Sequence, residues 1–395
     1  MEVKQIYTIV NNVTSEVLGK TDLVQEDLAN IVDVGTEIFN STSIDNYVKS
    51  LVNHIGKVIF VDRPYSGNVP SLLMDSWEFG SILEKISADL PEAEENDTWE
   101  LEDRKSYDTN VFYKPSVSAK FFNSQVTFEV PMSFTERQVK QSFSNANQLN
   151  GFMSMLYNAV DKSMTVKIDS LIMRTINNMI GETMVADLGT KSGKTITMDY
   201  GKTGNRAVNL LTLYNEKFGQ SLTADKAITT PEFIRYASYI MSLYVDRFSK
   251  ISTLFNVGGK ERFTSGDALH IVTLSEFKAS ATSYLQSDTF HDSYVALPNS
   301  ESVPYWQGSG LTYNFADTSK INVKTNSGAS VECGGILAIM FDKDAMGVCN
   351  LDKRVTTSYN AKAEFFNNYY KFDAGYFNDL NENFVVFFIA DKATA

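Results

Sequence analysis

Between Phe152 and Ile180 apolar residues return every third or fourth position: Phe152, Met153, Leu156, Val160, Met164, Ile168, Leu171, Ile172, Ile176, Met179 and Ile180. That spacing lays one stripe along a long helix. Gly181 is its expected stop, and at 1.5 Å per residue the helix would span roughly 45 Å, a spine rather than an average packing helix. A second stripe, Phe233, Ile234, Ala237, Ile240, Met241, Tyr244, Val245 and Phe248, follows Thr229-Thr230-Pro231-Glu232. Proline suits a helix start, because its missing N–H would be unpaired there anyway. Leu269 to Leu274 reads as a buried strand, and Ser275-Glu276 opens a helix through Leu285. The last third is strand-rich, with strands expected at 321–324, 336–341, near 355–365 and at 384–389. Long helices and mostly non-alternating strands in irregular order predict an α+β fold rather than a doubly wound sheet.

Toward the N-terminus the pattern is looser. Leu23, Leu28, Ile31, Val34 and Ile38 suit one helix face, and Ile44, Tyr47, Val48, Leu51, Val52 and Ile55 another, before a turn-rich piece at 62–70. Val117, Ala119 and Phe121, then Val126, Phe128 and Val130, alternate as strands do, with Asn123-Ser124 as a turn candidate between them. Pro131 is expected to end the second strand. Ser133-Phe-Thr-Glu136 then has the form of a capping box, opening a short helix to about residue 142, and Asn145, Asn147 and Asn150-Gly151 suggest a break before the spine. Residues 185–206, dotted with Gly and Lys, suit a loop or hairpin.

Length and composition narrow the class. The 395 residues allow two to three domains, and ordinary apolar and charged fractions exclude coiled-coil, collagen-like and disordered chains. No run approaches the 18 to 20 apolar residues of a membrane helix, and no signal peptide is evident, so a soluble protein without a membrane role is expected. The net charge of −13 disfavours a dedicated nucleic-acid binder, since phosphates would be repelled. Cys333 and Cys349 lack metal-ligand or redox spacing and are expected to be buried free thiols.

The search for catalytic chemistry finds little. His54, His270 and His291 have no His or Cys at ligand spacing, and His270 lies in an apparent strand, where a structural role is expected. Gly189-Thr-Lys-Ser-Gly193-Lys194-Thr195 has three residues between its glycines where a phosphate loop needs four, and it follows a helix-like stretch rather than a strand. No catalytic residue, cofactor or metal site is expected.

One stretch is unusual. Glu92, Glu94, Glu95, Asp97, Glu100, Glu102 and Asp103 crowd the middle of a strand-edged excursion. A solvated loop is the plain explanation. Contact with a basic surface on another subunit is the sharper one, which makes these seven the candidate subunit-contact residues.

The order of these pieces resembles the major capsid protein of tailed bacteriophages, the family with the HK97-type shell fold. The strand Gln125-Val-Thr-Phe-Glu-Val-Pro-Met-Ser133, leading by a short helix into the spine, looks like the start of that family's peripheral domain. The acidic excursion sits where the family's extended loop reaches over a neighbour. Leu269 through Tyr284 resembles the axial domain, and Gly334-Gly-Ile-Leu-Ala-Ile-Met-Phe-Asp-Lys-Asp-Ala-Met-Gly-Val348 with the strands after it resembles the return to the peripheral domain. The resemblance implies an N-terminal arm at 1–70, an extended loop region at 71–130, a peripheral domain with the spine helix at 131–205, an axial domain at 206–340 and return strands at 341–395. It further implies a virion protein, assembled in the host cytoplasm as hexamers and pentamers of itself. The implied partners are a separate scaffold protein, a portal, decoration proteins and packaged DNA held without sequence-specific binding. An encapsulin-like nanocompartment enclosing protein cargo is the alternative within the same fold.

Overall fold

The computed structural model describes residues 69–74, 83–88, most of 90–135, 146–192, 195–286, 300–308 and 314–391. The helices expected at 23–38, 43–55 and 136–142 lie outside the described residues.

A 3-10 turn, Pro70–Leu72, leads into β1 (Leu73–Met74). There follow β2 (Leu83–Ala88), β3 (Val117–Phe122), β4 (Gln125–Thr135) and the long helix α1 (Ala146–Leu188). Next come β5 (Gly189–Ser192), β6 (Thr195–Met198), β7 (Ala207–Asn209), α2 (Leu210–Phe218), α3 (Ala224–Ala227) and α4 (Pro231–Phe248). The chain continues through β8 (Leu269–Leu274), α5 (Ser275–Gln286), β9 (Ser300–Val303), α6 (Phe315–Thr318), β10 (Ile321–Lys324) and β11 (Ser330–Cys333). It closes with β12 (Ile336–Asp342), β13 (Met346–Asn360), β14 (Phe365–Asn378) and β15 (Phe384–Phe388). The fold is α+β. By internal packing the chain divides into two compact units. One draws on Met1–Glu78, Ser124–Ile172 and Val348–Gly375, the other on Phe79–Asn123, Met173–Gly347 and Tyr376–Ala395.

The first unit is built on a sheet of order β1-β13-β14-β4. β14 alternates so that Phe366, Asn368, Tyr370, Phe372 and Ala374 are buried, and burial in this apolar layer pushes the Tyr370 phenol up to about 12. Phe128 of β4 packs on Phe372 at 5.1 Å between ring centres. On the opposite face polar partners cross the strands: Lys371 pairs with Glu129 at 3.2 Å, and Thr127 donates to Asp373 at 2.6 Å. The Arg354 guanidinium bonded to Asp373 holds that carboxyl below its usual range.

β4 corrects two expectations. It does not end at Pro131: its register against β14 passes Tyr369↔Pro131 and continues to Phe365↔Thr135. β4 lies at the sheet's edge, where a proline's missing donor can face away from the ladder. Ser133 therefore sits inside the strand, its hydroxyl donating to Asn367 Oδ1 at 2.6 Å, and it forms no capping box. Asn123-Ser124 separates β3 from β4, and the two strands take different partners, β3 pairing with β2 and β4 with β14.

The second unit holds a five-stranded sheet of order β7-β15-β12-β8-β9. β12 and β15 are buried at every position, which explains why they read as continuous apolar runs. α2, α4 and α5 contribute Leu211, Tyr214, Phe233, Ile234, Met241, Phe248 and Phe277 to a core shared with Ile271, Leu337, Met340, Val385 and Phe387 of the sheet. α4 begins at Pro231 as expected, with Thr230 before it. α2 is capped by Asn209, whose side chain accepts from Leu211 N and Thr212 N, and closes at Gly219 in the left-handed region with φ 61°. Where a strand was expected near 355–365, two long strands, β13 and β14, meet instead around the turn at 361–364.

α1 is longer than expected at 43 residues. It starts at Ala146 and runs through Asn147 and Asn150-Gly151, so no break falls there. Nor does it stop at Gly181, which is buried inside the helix against the Val323 side chain. A Cβ at that position would collide with Val323 Cγ2, so close approach, not termination, explains the glycine. From Val160 onward the expected stripe is buried as read: Val160, Met164, Ile168, Leu171, Ile172, Ile176, Met179 and Ile180.

Candidate subunit-contact surface

β2 and β3 form an antiparallel ribbon on their own, with Leu83↔Phe122, Lys85↔Lys120 and Ser87↔Ser118 on one face. Glu84↔Phe121, Ile86↔Ala119 and Ala88↔Val117 make the other. Because side chains alternate across a strand, the apolar row Val117, Ala119 and Phe121 identifies the strand, but in the structure this row faces outward. Ile86, Val117 and Phe121 are all exposed, giving the ribbon an uncovered apolar face among the described residues. The inward face is held at its root. Phe122 packs on Phe377 at 5.1 Å, the Ser87 and Ser118 hydroxyls meet at 3.1 Å, and both lysines reach Asp379.

Of the seven acidic candidates, Glu95, Glu100, Glu102 and Asp103 are exposed, while Glu92, Glu94 and Asp97 lie outside the described residues. The segment is not purely acidic. Glu102 has Lys105 at 3.9 Å and Asp103 has Arg104 at 3.8 Å. A small turn is closed by Lys105 N donating to Glu102 O at 3.4 Å and Glu102 N donating to the Tyr107 hydroxyl at 3.1 Å. Arg104 takes the left-handed conformation at φ 69°.

Large apolar side chains stand among these charges. Trp99 is 96% exposed, Phe112 84%, and Tyr113 and Leu101 are also well exposed. Trp306 shows the usual fate of the residue type, buried with its indole N–H donating to Ile336 O at 2.9 Å. Reading the segment by charge alone passes over these residues. The available signal was aromatic residues in a charge-rich stretch with no helical or strand period to bury them. Exposed aromatic anchors inside a polar surround suit protein contact.

Elsewhere the described residues offer little chemistry. They contain no group of three or more His, Cys, Asp or Glu able to hold a metal, and no helix long and apolar enough to cross a membrane. His270 stacks on Phe341 at 5.8 Å, and burial lowers its pKa against the opposing pull of Glu301 and Asp342. His54 and His291 lie outside the described residues. Cys333 and Cys349 are free and buried, and burial pushes the Cys333 thiol up to about 12. The glycine-lysine decoy at 189–195 belongs to the β5–β6 hairpin directly after α1, not to a strand-to-helix turn.

The model of the Phi29-like phage major capsid protein family matches residues 7–388. No curated protein matches the chain. Similar solved structures include the capsid of Staphylococcus phage Andhra, at 11% identity over 83% of this chain and 86% of that one, with a TM-score of 0.49. A chain from the structure of the head fiber and inner core protein of native bacteriophage P68 shows 9% identity over 83% and 86%, TM-score 0.49. The capsid of Cyanophage P-SCSP1u shows 8% over 84% and 90%, TM-score 0.44.

Proposed function

The chain belongs to the Phi29-like phage major capsid protein family, a structural component of the virion capsid with an α+β fold of the HK97 type, and from that premise we propose that it assembles as hexamers and pentamers of one chain into an icosahedral head around double-stranded DNA. Closed symmetry satisfies repeated interfaces without leaving one open. The observation that carries the reading is the β2–β3 ribbon, with its outward apolar face and a tip bearing Trp99 and Phe112. A monomer gains nothing from holding such groups in water. In this reading residues 71–130 are the extended loop that meets the neighbouring subunit, and Glu92, Glu94, Glu95, Asp97, Glu100, Glu102 and Asp103 lie at that contact. Residues 1–70 form the arm, 131–205 the peripheral domain, 206–340 the axial domain and 341–395 the return strands. A scaffold protein, a portal and decoration proteins are the partners.

A wall with net charge −13 repels the packaged phosphates, so the genome is enclosed rather than tightly bound. The family membership favours this over a cargo-filled nanocompartment. Electron microscopy of native particles tests the proposal. Closed shells containing DNA are expected; protein-filled shells, or only monomers and small oligomers under every assembly condition, would overturn it.

A further inference from the structure

We propose that Lys85 and Lys120 are positioning residues, which set the direction of the β2–β3 ribbon by gripping Asp379 together. Among the named strands, β2 and β3 bond only to each other. A two-stranded ribbon is marginal alone and has no backbone ladder to orient it. Among the described residues its attachments are made by side chains at its root.

Lys85 and Lys120 stand directly opposite on the inward face, an arrangement that costs stability when two cations have no shared partner. Here they have one. Lys85 Nζ lies 3.0 Å from Asp379 Oδ2 and Lys120 Nζ 2.8 Å from Asp379 Oδ1. Lys85 also reaches Glu382 Oε1 at 2.8 Å and donates to Asp344 O at 3.0 Å. Arg262 Nε approaches the same Glu382 oxygen at 3.3 Å. Asp379 is fixed in its turn: its side chain is 3% exposed, its N–H donates to Ala345 O at 2.7 Å, and its Oδ1 accepts from Asn381 N at 3.0 Å.

The grip is thus a bidentate contact on a rigid carboxylate, and the Phe122–Phe377 contact lies beside it on the same face. Two attachments define a direction where one would leave a pivot. Burial alone would raise the Asp379 pKa, but the Lys120 hydrogen bond and the Lys85 charge outweigh it and hold it below the usual value. The carboxylate therefore stays ionised throughout the physiological range, and the grip acts as a constant brace rather than a pH switch. Holding the ribbon in advance removes part of the ordering loss when its outward face meets another surface. The brace belongs to the single chain and does not rest on the identity of that surface.

The test measures the ribbon in unassembled full-length subunits. Nitroxide labels at Ala119→Cys and Lys250→Cys, both exposed positions, report the distance from ribbon to body by pulsed electron spin resonance. The native cysteines are buried, and unsubstituted protein serves as the labelling control. Methionine keeps the lysine stem and removes the charge. Lys85→Met with Lys120→Met is expected to widen the distance distribution at least twofold while circular dichroism and the thermal midpoint stay close to those of the parent. Ser87→Ala on the same face is expected to leave it narrow. A narrow, unshifted distribution in the double variant overturns the proposal. If that variant fails to fold, Lys120→Met alone is read by the same criterion. The measurement precedes assembly, so failure to form shells would count against the proposed function and leave this result standing.

Discussion

At the scale of the residue, the half-buried titratable groups of the second unit serve structure, and their protonation should register in stability alone. His270 is the clearest case. Burial against Phe341 holds its pKa below the ordinary 6.5, with Glu301 and Asp342 pulling upward and Lys343 downward. The unfolded chain therefore takes up this proton first as pH falls. The associated stability is complete above 6.5 and is lost as pH drops through the folded value. His270→Phe, which keeps a ring on Phe341, should flatten the fall of the unfolding midpoint between about pH 7 and pH 5 by no more than about 2 °C, because the half-exposed imidazole is partly screened. A wild-type slope retained in the variant would remove His270 as its source. The cysteines make a complementary case. Cys333→Ala with Cys349→Ala should cost about 1 kcal/mol each for the small cavities left, with particle yield within a few-fold of wild type. Loss of all particles would assign the thiols a role their burial does not suggest.

At the scale of the element, α1 shows where local preference yields to packing. Alanine is worth about 1 kcal/mol over glycine within a helix, so Gly181→Ala taken alone should stabilise. The collision with Val323 Cγ2 is an overpacking term of about 1–3 kcal/mol in the other direction. Gly181→Ala is therefore expected to lower stability to chemical denaturation, and to become neutral or favourable in a Val323→Ala background. Additive effects in that double-mutant cycle would show that the contact is not the cause. The same conflict explains what could be read from the sequence. β8, α4, α5 and β10 were legible because their apolar period and start signals agree with their packing. The ends of β4 and α1 were not, because Pro131 and Gly181 are stop signals locally and are tolerated only through a sheet edge and a close neighbour that the sequence does not display. In the contact surface the seven carboxylates were legible as a run. The outward turn of Ile86, Val117 and Phe121 depends on which ribbon face is anchored by Asp379. That pairing spans more than 250 residues of chain.

At the scale of the whole molecule, the proposed contact surface would combine two kinds of interaction of different strength. Exposed ion pairs contribute about 0.2–1 kcal/mol each and weaken with salt, whereas a buried aromatic anchor at an interface is often worth about 2 kcal/mol or more. Neutralising Glu92, Glu94, Glu95 and Asp97 together should leave the subunit folded by circular dichroism and alter mainly the salt dependence of assembly. Trp99→Ala with Phe112→Ala should raise the concentration at which shells appear by about tenfold or more at every salt concentration. Light scattering against protein concentration separates the two, and unchanged thresholds in the aromatic variant would remove the tip from the interface. A chain that must meet its own copies also risks meeting them wrongly. Among the described residues no strand pairs with the outer side of β4, and such an edge is a template on which strands of other chains can add without control. The unbroken register through Pro131 requires its nitrogen to point away from β14, which leaves that edge without a donor near its middle. The proline thereby works against backbone pairing by a further strand along that edge.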